Sequence, residues 1–514
     1  MRPGAERSCA GGALLLVLLS GACGGGGAAG PEDPDPDPGP EPWLAKVDGP
    51  LVAKLEGEAP VAVLILSPTQ PMLGPDGLEE FIEANGGRPR PELRQEMLRL
   101  LRETAEREQA DLLSALDGRS RYLTSLWLVN GVAGVLHPDV VREVAAREDV
   151  RYVLEADVAL AGFVDAGTVT EVVTHDGARF RRSGRPVAWY LDELHVPEVW
   201  EELDVTGEGV VIALLDSGIE YRHSDIRNRV WTNSGEVPNN GQDDDGNGLV
   251  DDYYGMDMAG GRAEVLPVNL HGAYVSGILV GDGTAGTVTG VAPSARVMTL
   301  KAGATVPSLR ALEYALSMGA DVANMSFSIP DLGNLRAVWR LAADHAVAAG
   351  LVLVSGAGNF AQTRPVPVQL RTPEDIPSVI AAGGVDRSRA RAPFSSGGPV
   401  EWTSVRYYRD HGLPMGLTKP DVAAFPGPGY TVLDPSGGYV PPSSAPAGNS
   451  FSGPQAAGVA ALVLSAAPEL PAWEVVEVLE STAIDLGSAG KDNETGAGLL
   501  DARAAVEEAL RRGG

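Results

Sequence analysis

Three segments of this 514-residue chain carry residue types that can do nucleophilic chemistry together. Asp216 closes the apolar run Gly209-Val-Val-Ile-Ala-Leu-Leu-Asp216, His271 opens the small-residue stretch His271-Gly-Ala-Tyr-Val-Ser-Gly277, and Ser450 lies in Gly448-Asn-Ser450-Phe-Ser-Gly-Pro454. A hydroxyl is a poor nucleophile until an imidazole accepts its proton. The imidazole in turn needs a carboxylate that fixes its tautomer and stabilises the protonated ring. Asp216, His271 and Ser450 supply that set. Taken singly, each has a plainer reading: an Asp capping a turn, one of seven His packed at a helix start, a Ser ahead of a helix whose early Pro454 suits its first turn. Turn chemistry alone explains the three together poorly.

The elements around them must bring the three to one place. From Trp189 to about Leu510, apolar runs alternate with helical patterns, as expected of an α/β fold with a mostly parallel sheet covered on both faces. The patterning predicts strands at 210–215, 296–300, 322–325, 351–355 and 379–383, with helices at 308–318 and 335–349. Reactive residues in such folds belong at the carboxyl ends of strands, where Asp216 stands.

The chain order Asp, His, Ser and the phrases around each resemble the subtilisin-like serine proteases, over residues 189–514. The resemblance implies a three-layer α/β domain with a mostly parallel central sheet, and a serine endopeptidase working through an acyl-enzyme on Ser450. It implies further that Asn359, in Val354-Ser-Gly-Ala-Gly-Asn359, donates its side-chain amide to the developing oxyanion beside the Ser450 N–H. Ser326, Phe327 and Ser328 would pair with extended substrate, and Gly356, Ala357 and Gly358 would form the opposite wall of the primary pocket. The chain departs from the family phrase at Ala273, Tyr274, Asn449, Gln455 and Ser328. Asn449 is expected still to offer a donor near the oxyanion, and Ser328 to constrict the pocket entrance. The alternative is a catalytically inactive peptide-binding or scaffolding relative; an esterase using the same triad ranks third.

Residues 50–158 read as a small α+β unit: a strand at 61–66, one or two amphipathic helices within 78–118, a strand at 126–135, a helix at 139–147 and a strand at 150–154. Its Asn130-Gly131-Val-Ala phrase and its ending at Asp157 resemble the inhibitory propeptide of the same family, which implies an intramolecular inhibitor that also assists folding. Residues 159–188, with Arg179, Arg181, Arg182 and Arg185, suit a processing link. Residues 23–49 are a Gly/Pro/Asp-rich spacer, kept extended by proline. Residues 1–22 have the order of an export signal: Arg2 and Arg7, an apolar core at 13–19, then small residues before Cys23. That core is shorter than the roughly 20 residues a membrane crossing needs. Ser20-Gly21-Ala22-Cys23 resembles the lipobox of bacterial lipoproteins. Two outcomes therefore stand open: membrane attachment through lipid on Cys23, as a cell-surface or outer-membrane lipoprotein, or a cleaved signal and a secreted protein.

One further cluster, Asn239-Asn-Gly-Gln-Asp243-Asp-Asp245-Gly-Asn247-Gly-Leu-Val-Asp251-Asp252, begins as a calcium loop does. Tyr254 stands where an EF-hand would close with Glu, so it is not an EF-hand. Relatives with a similar insertion bind Ca²⁺ there, which makes Asp243, Asp245, Asn247 and Asp252 the expected ligands of a structural ion; a solvated acidic loop is the plain alternative. No nucleotide loop or catalytic-metal motif stands out, and no catalytic cofactor is expected.

Composition sets bounds. There are 69 acidic against 40 basic side chains, a net charge of −29, which argues against a nucleic-acid partner. Protein or peptide substrates and a monomeric state are expected instead. The only two cysteines are Cys9 and Cys23, so burial of the 44% apolar residues must hold the body of the chain without disulfides.

Overall fold

Apolar runs buried on both faces build the central sheet of the computed structural model, which describes residues 42–157, 180 and 182–513. The export segment, Cys9, Cys23 and most of the expected processing link lie outside the described residues. Pro42–Gly514 form one compact unit holding two main sheets.

The first sheet comprises β1 (Val61–Leu66), β2 (Ser120–Leu126), β3 (Gly131–Leu136) and β4 (Tyr152–Glu155), in the order β2-β3-β1-β4. Its pairings are antiparallel. Side chains on successive strand residues point to opposite faces, and β1 uses both. Val63 and Ile65 pack with Leu112, Leu116 and Val141 in a core belonging to this segment. Leu64 and Leu66 pack into the large core shared with the rest of the chain. Helices Gly49–Leu55, Gly77–Asn85, Arg90–Leu116 and Pro138–Ala145 complete the segment, and the end of the stretch expected to be an extended spacer is instead a short 3₁₀ helix, Pro42–Lys46, followed by the buried Val47.

The single strand expected at 126–135 is instead a hairpin. Asn130 takes a positive φ of 38° and ends the turn between β2 and β3. Asn tolerates that backbone conformation better than most residues. Gly131 follows because a Cβ there would lie 2.8 Å from the Ile65 carbonyl oxygen.

The second sheet has seven strands: β5 (Val211–Asp216), β6 (Gly255–Asp257), β7 (Arg296–Lys301), β8 (Val322–Met325), β9 (Val352–Gly356), β10 (Ile380–Gly384) and β11 (Val422–Ala424). They lie in the order β11-β10-β9-β8-β5-β7-β6, and their pairings are all parallel. The five predicted strands fall here within a residue of their observed ends. β6 and β11, three residues each, are too short to carry a pattern of their own.

Helices cover this sheet in two groups. His271–Val280 packs with Ser452–Ala466, and Thr305–Ser317 packs with Leu335–Ala348. The latter pair also carries the N-terminal segment. Arg90 Nη1 meets Asp321 Oδ1 at 2.7 Å, Arg94 Nη2 donates to Ala320 O at 2.6 Å, and Thr305 N donates to Asp157 Oδ1 at 3.0 Å. Small residues let Ser452–Ala466 lie close to β9: a Cβ on Gly356 would sit 2.1 Å from the Asn449 carbonyl oxygen. No described helix is long and apolar enough to cross a membrane.

Candidate active site

β5 delivers Asp216 to the carboxyl edge of the sheet with its side chain buried, where Oδ1 accepts the Ser217 N–H at 2.6 Å. His271 begins the His271–Val280 helix, and Asn269 Oδ1 accepts its N–H at 2.9 Å. The helix start is locked onto the end of β5. Gly272 N donates to Ser217 Oγ at 3.2 Å, and a Cβ on Gly272 would lie 1.9 Å from the Gly218 carbonyl oxygen.

This packing puts His271 Nδ1 2.8 Å from Asp216 Oδ2 and 3.0 Å from Oδ1. A carboxylate can only accept, so Nδ1 carries the proton and Nε2 is left as the basic nitrogen. Burial alone would lower the His271 pKa, but the hydrogen bond and charge of Asp216 outweigh it and raise the ring above its ordinary 6.5.

Ser450 sits just ahead of the Ser452–Ala466 helix. Its nearest hydrogen-bond contact is a long 3.5 Å approach of Oγ to the Ser326 carbonyl oxygen, so the hydroxyl is essentially uncommitted. Its own carbonyl accepts from Ser326 Oγ at 3.1 Å, which ties it to the strand expected to hold substrate. The next residue, Phe451, stacks on the His271 ring with centroids 6.3 Å apart and planes inclined by 25°.

Asn359 follows β9 and is exposed. Its Oδ1 accepts the Asn449 N–H at 2.7 Å. Only the oxygen of an amide can meet an N–H, so Nδ2 must face the opposite way, toward Gly448. The Ser450 N–H has no acceptor among the described residues. Asn359 Nδ2 likewise has no acceptor among the described residues.

The Asn449 side chain does not join them. Its Nδ2 donates to Gly358 O at 2.7 Å and to Ser395 Oγ at 3.0 Å, so the expected extra donor is instead a clamp on the loop that carries Asn359. A side chain buried against a carbonyl satisfies that carbonyl before it serves solvent.

Of the residues expected to hold substrate, Ser326 is buried, with Asn324 Nδ2 donating to its hydroxyl at 2.9 Å, while Phe327 and Ser328 are half-buried. Gly356 and Ala357 are buried beside them at the end of β9. Ser328 donates to Glu374 Oε1 at 2.6 Å. Sequence reasoning missed Glu374 because nothing in Thr372-Pro-Glu374-Asp links it to strand β8.

In the acidic loop, carboxylate oxygens of Glu236, Asp243 and Asp245 lie within 4.8 Å of one another. Asp243 is wrapped by backbone N–H groups of Gly246, Asn247 and Gly248 at 2.7 to 3.1 Å. Asn247 Nδ2 bridges Asp245 Oδ2 at 3.2 Å and Asp252 Oδ2 at 3.0 Å. Tyr314 also donates to Asp252, at 2.6 Å. Asp252 and Glu236 are pushed above the ordinary carboxylate range, chiefly by burial and further by neighbouring carboxylates. Clustered hard oxygens, short of positive charge, suit a divalent cation. Glu236 was not among the expected ligands: it comes from a neighbouring turn and lies outside the Asp-x-Asp-x-Asn pattern.

The same chain matches the family model described as the subtilase family over residues 207–498. It is 24% identical over 348 residues to subtilisin-like protease 1 of Plasmodium berghei (strain Anka), covering 64% of this chain and 55% of that protein. It is 26% identical over 446 residues to bacillopeptidase F of Bacillus subtilis (strain 168), covering 79% of this chain and 28% of that one. Subtilisin E of Bacillus subtilis (strain 168) is 27% identical over 385 residues, covering 74% of this chain and 81% of its own length. The alignments thus span about half of the Plasmodium relative and under a third of bacillopeptidase F. The parallel seven-stranded sheet, the Asp216–His271 pair at its carboxyl edge and the match over 207–498 agree, and the chain belongs to the subtilase family.

Proposed function

We propose that this chain is a serine endopeptidase whose nucleophile is Ser450. The observation that carries the reading is the Asp216–His271 pair, 2.8 Å apart, which leaves Nε2 as base in a site that also holds an uncommitted serine hydroxyl. His271 Nε2 takes the Ser450 proton as Oγ bonds to the scissile carbonyl carbon. Asn359 Nδ2 and the Ser450 N–H receive the negative oxygen. The C–N bond breaks as His271 returns the proton to the leaving amine, and water then repeats the sequence to release the acyl group. Extended peptide would pair with Ser326, Phe327 and Ser328 against Gly356, Ala357 and Gly358.

In this reading, 50–158 is a propeptide that docks on the Thr305–Ser317 and Leu335–Ala348 helices and blocks the site until the 159–188 link is cut. The subtilisin E alignment, longer than the 207–498 segment, supports it. Glu236, Asp243 and Asp245 would hold a structural Ca²⁺ that supplies positive charge to the loop and takes no part in the reaction; of the other expected ligands, Asn247 turns its N–H groups toward the carboxylates and its oxygen to the Leu249 N–H, and Asp252 is held by Asn247 and Tyr314. The chain would be exported, lipidated at Cys23 or secreted, and monomeric.

The test is labelling with a fluorophosphonate probe. Labelling of the chain that disappears in Ser450→Ala and His271→Ala is the expected result. A folded chain that stays full length, takes no label even after an added protease cuts the 159–188 link, and behaves like Ser450→Ala throughout would make it an inactive peptide-binding relative.

A further inference from the structure

In the reading proposed above, the side chain that precedes the scissile bond would enter between the wall of Ser326, Phe327 and Ser328 and that of Gly356, Ala357 and Gly358. Glu374 reaches both of them. Its Oε1 accepts from the Ser328 hydroxyl at 2.6 Å and from the Arg371 N–H at 3.2 Å. A Cβ on Gly358 would lie 3.0 Å from that same oxygen and 3.0 Å from the Phe360 ring. One carboxyl therefore touches Ser328 on one wall and crowds Gly358 on the other. Glu374 is wholly buried.

Other contacts hold the plug in place. Ile329, next to Ser328, donates its N–H to Thr372 O at 2.7 Å, so the wall is pinned to the turn that carries Glu374. The Arg371 guanidinium lies 3.7 Å over the Phe360 ring, stacking two large groups beside Gly358. Burial pushes the Glu374 carboxyl well above the ordinary carboxylate range, which favours its neutral, bridging form over a charged one awaiting a cation. Its other oxygen, Oε2, has no hydrogen-bond partner, so the carboxyl is not a full member of a structural network. The open space lies elsewhere. A cleft of about 860 Å³ runs beside His271 along the Ser326–Phe327 end of the wall, lined also by Ser217, Asp257 and Lys301, and none of Ser328, Gly358 and Glu374 borders it.

We propose that the Ser328–Glu374 bridge closes the primary pocket, so that the substrates are peptides with a small side chain, glycine, alanine or serine, immediately before the scissile bond. This rests on the endopeptidase reading above and gives it a substrate class. Glu374 and Ser328 become specificity-determining residues whose removal enlarges the choice of substrate.

The experiment uses the protein after cleavage of its 159–188 link, with its active sites counted by fluorophosphonate titration of a separate sample, and fluorogenic peptides that differ only at that one position. Alanine is expected to exceed leucine and phenylalanine in kcat/KM by about tenfold or more, the scale on which pockets reject excess methylenes. Glu374→Ala, and independently Ser328→Gly, should narrow that ratio by about tenfold, whereas Glu374→Gln keeps the bridge and should keep the ratio. Equal use of alanine and phenylalanine, a preference for lysine or arginine lost in Glu374→Gln, or an unchanged ratio in both opening variants while they still take the label would overturn the proposal. A wild-type chain that takes no label would overturn the endopeptidase reading itself, and that outcome is distinct from each of these.

Discussion

The Leu128 N–H, in the turn between β2 and β3, donates at 2.7 Å to Glu313 Oε1 on the Thr305–Ser317 helix. The N-terminal segment thus hangs partly on a buried carboxyl of the body it covers. Burial pushes that carboxyl up to about 8, against the hydrogen bond from Leu128 and the charge of Arg310, which pull it down. Between the ordinary glutamate value of 4.5 and about 8 the folded chain keeps a proton that the unfolded chain has lost, so stability falls as pH rises through this window. Urea midpoints measured from pH 4.5 to 8 should decline for the wild type and decline less for Glu313→Gln. Equal slopes would contradict the assignment.

Catalysis should follow the opposite course. The His271 pKa is raised by Asp216, so the base is protonated and idle at low pH, and kcat/KM should climb through an acid limb lying above 6.5. The same raised pKa means that the His271–Asp216 interaction adds stability below the unfolded value and loses it as pH passes the folded one. Asp216→Asn should keep the fold and lower kcat by roughly 10⁴. A pH–rate profile of wild type and variant decides both points.

Asn359→Ala should lower kcat by about 10² to 10³ with little change in KM, a size known from the oxyanion hole of this family rather than derived from the present geometry. Asn449→Ala frees Gly358 O and should also reduce kcat, though Asn449 offers the oxyanion nothing through its side chain. An Asn359 variant that raises KM alone would assign that residue to ground-state binding.

Calcium should raise the melting temperature, and a chelator should lower it. At a free ion concentration of about 100 times Kd the stabilisation is roughly 2.7 kcal/mol. Asp245→Asn and Glu236→Gln should each weaken the response, the second because its carboxylate lies in the same cluster as Asp243 and Asp245. Calorimetric scans with Ca²⁺ and with EGTA check this, and identical scans would leave the loop merely acidic.

What the residues made legible was local. β5 is an uninterrupted apolar run closed by Asp216, so its limit could be read directly. Asp216 and His271, far apart in sequence, could be paired from their chemistry, and the structure brings their side chains together. Two kinds of information were hidden. β2 (Ser-Arg-Tyr-Leu-Thr-Ser-Leu) is mostly half-exposed and offers no apolar run, so its hairpin was read as one strand. Glu236 and Glu374 matter through partners on other elements, Asp245 for one and Ser328 for the other, and nothing in the phrases around them marks that. The direction of the Asn449 amide was equally invisible, because two buried acceptors set it.

The parallel pairing of the seven-stranded sheet also bears on time. β5 must wait for β7 and β8 on either side, partners that arrive only after long stretches of intervening chain, with Val211 opposite Arg296 and Ile212 opposite Val322. Pairings that close such long loops are slow to form, because chain entropy is lost before contact is gained. In the first sheet only the β2–β3 hairpin is local: β1 reaches Leu136 of β3 and Glu155 of β4 across stretches comparable to the one between β5 and β7, and its face bearing Leu64 and Leu66 belongs to the same core as β5 and β8. Both sheets therefore depend on distant pairings that meet in one shared core, so deleting residues 42–157 should slow refolding by removing the apolar face of Leu64 and Leu66 on which β5 and β8 condense.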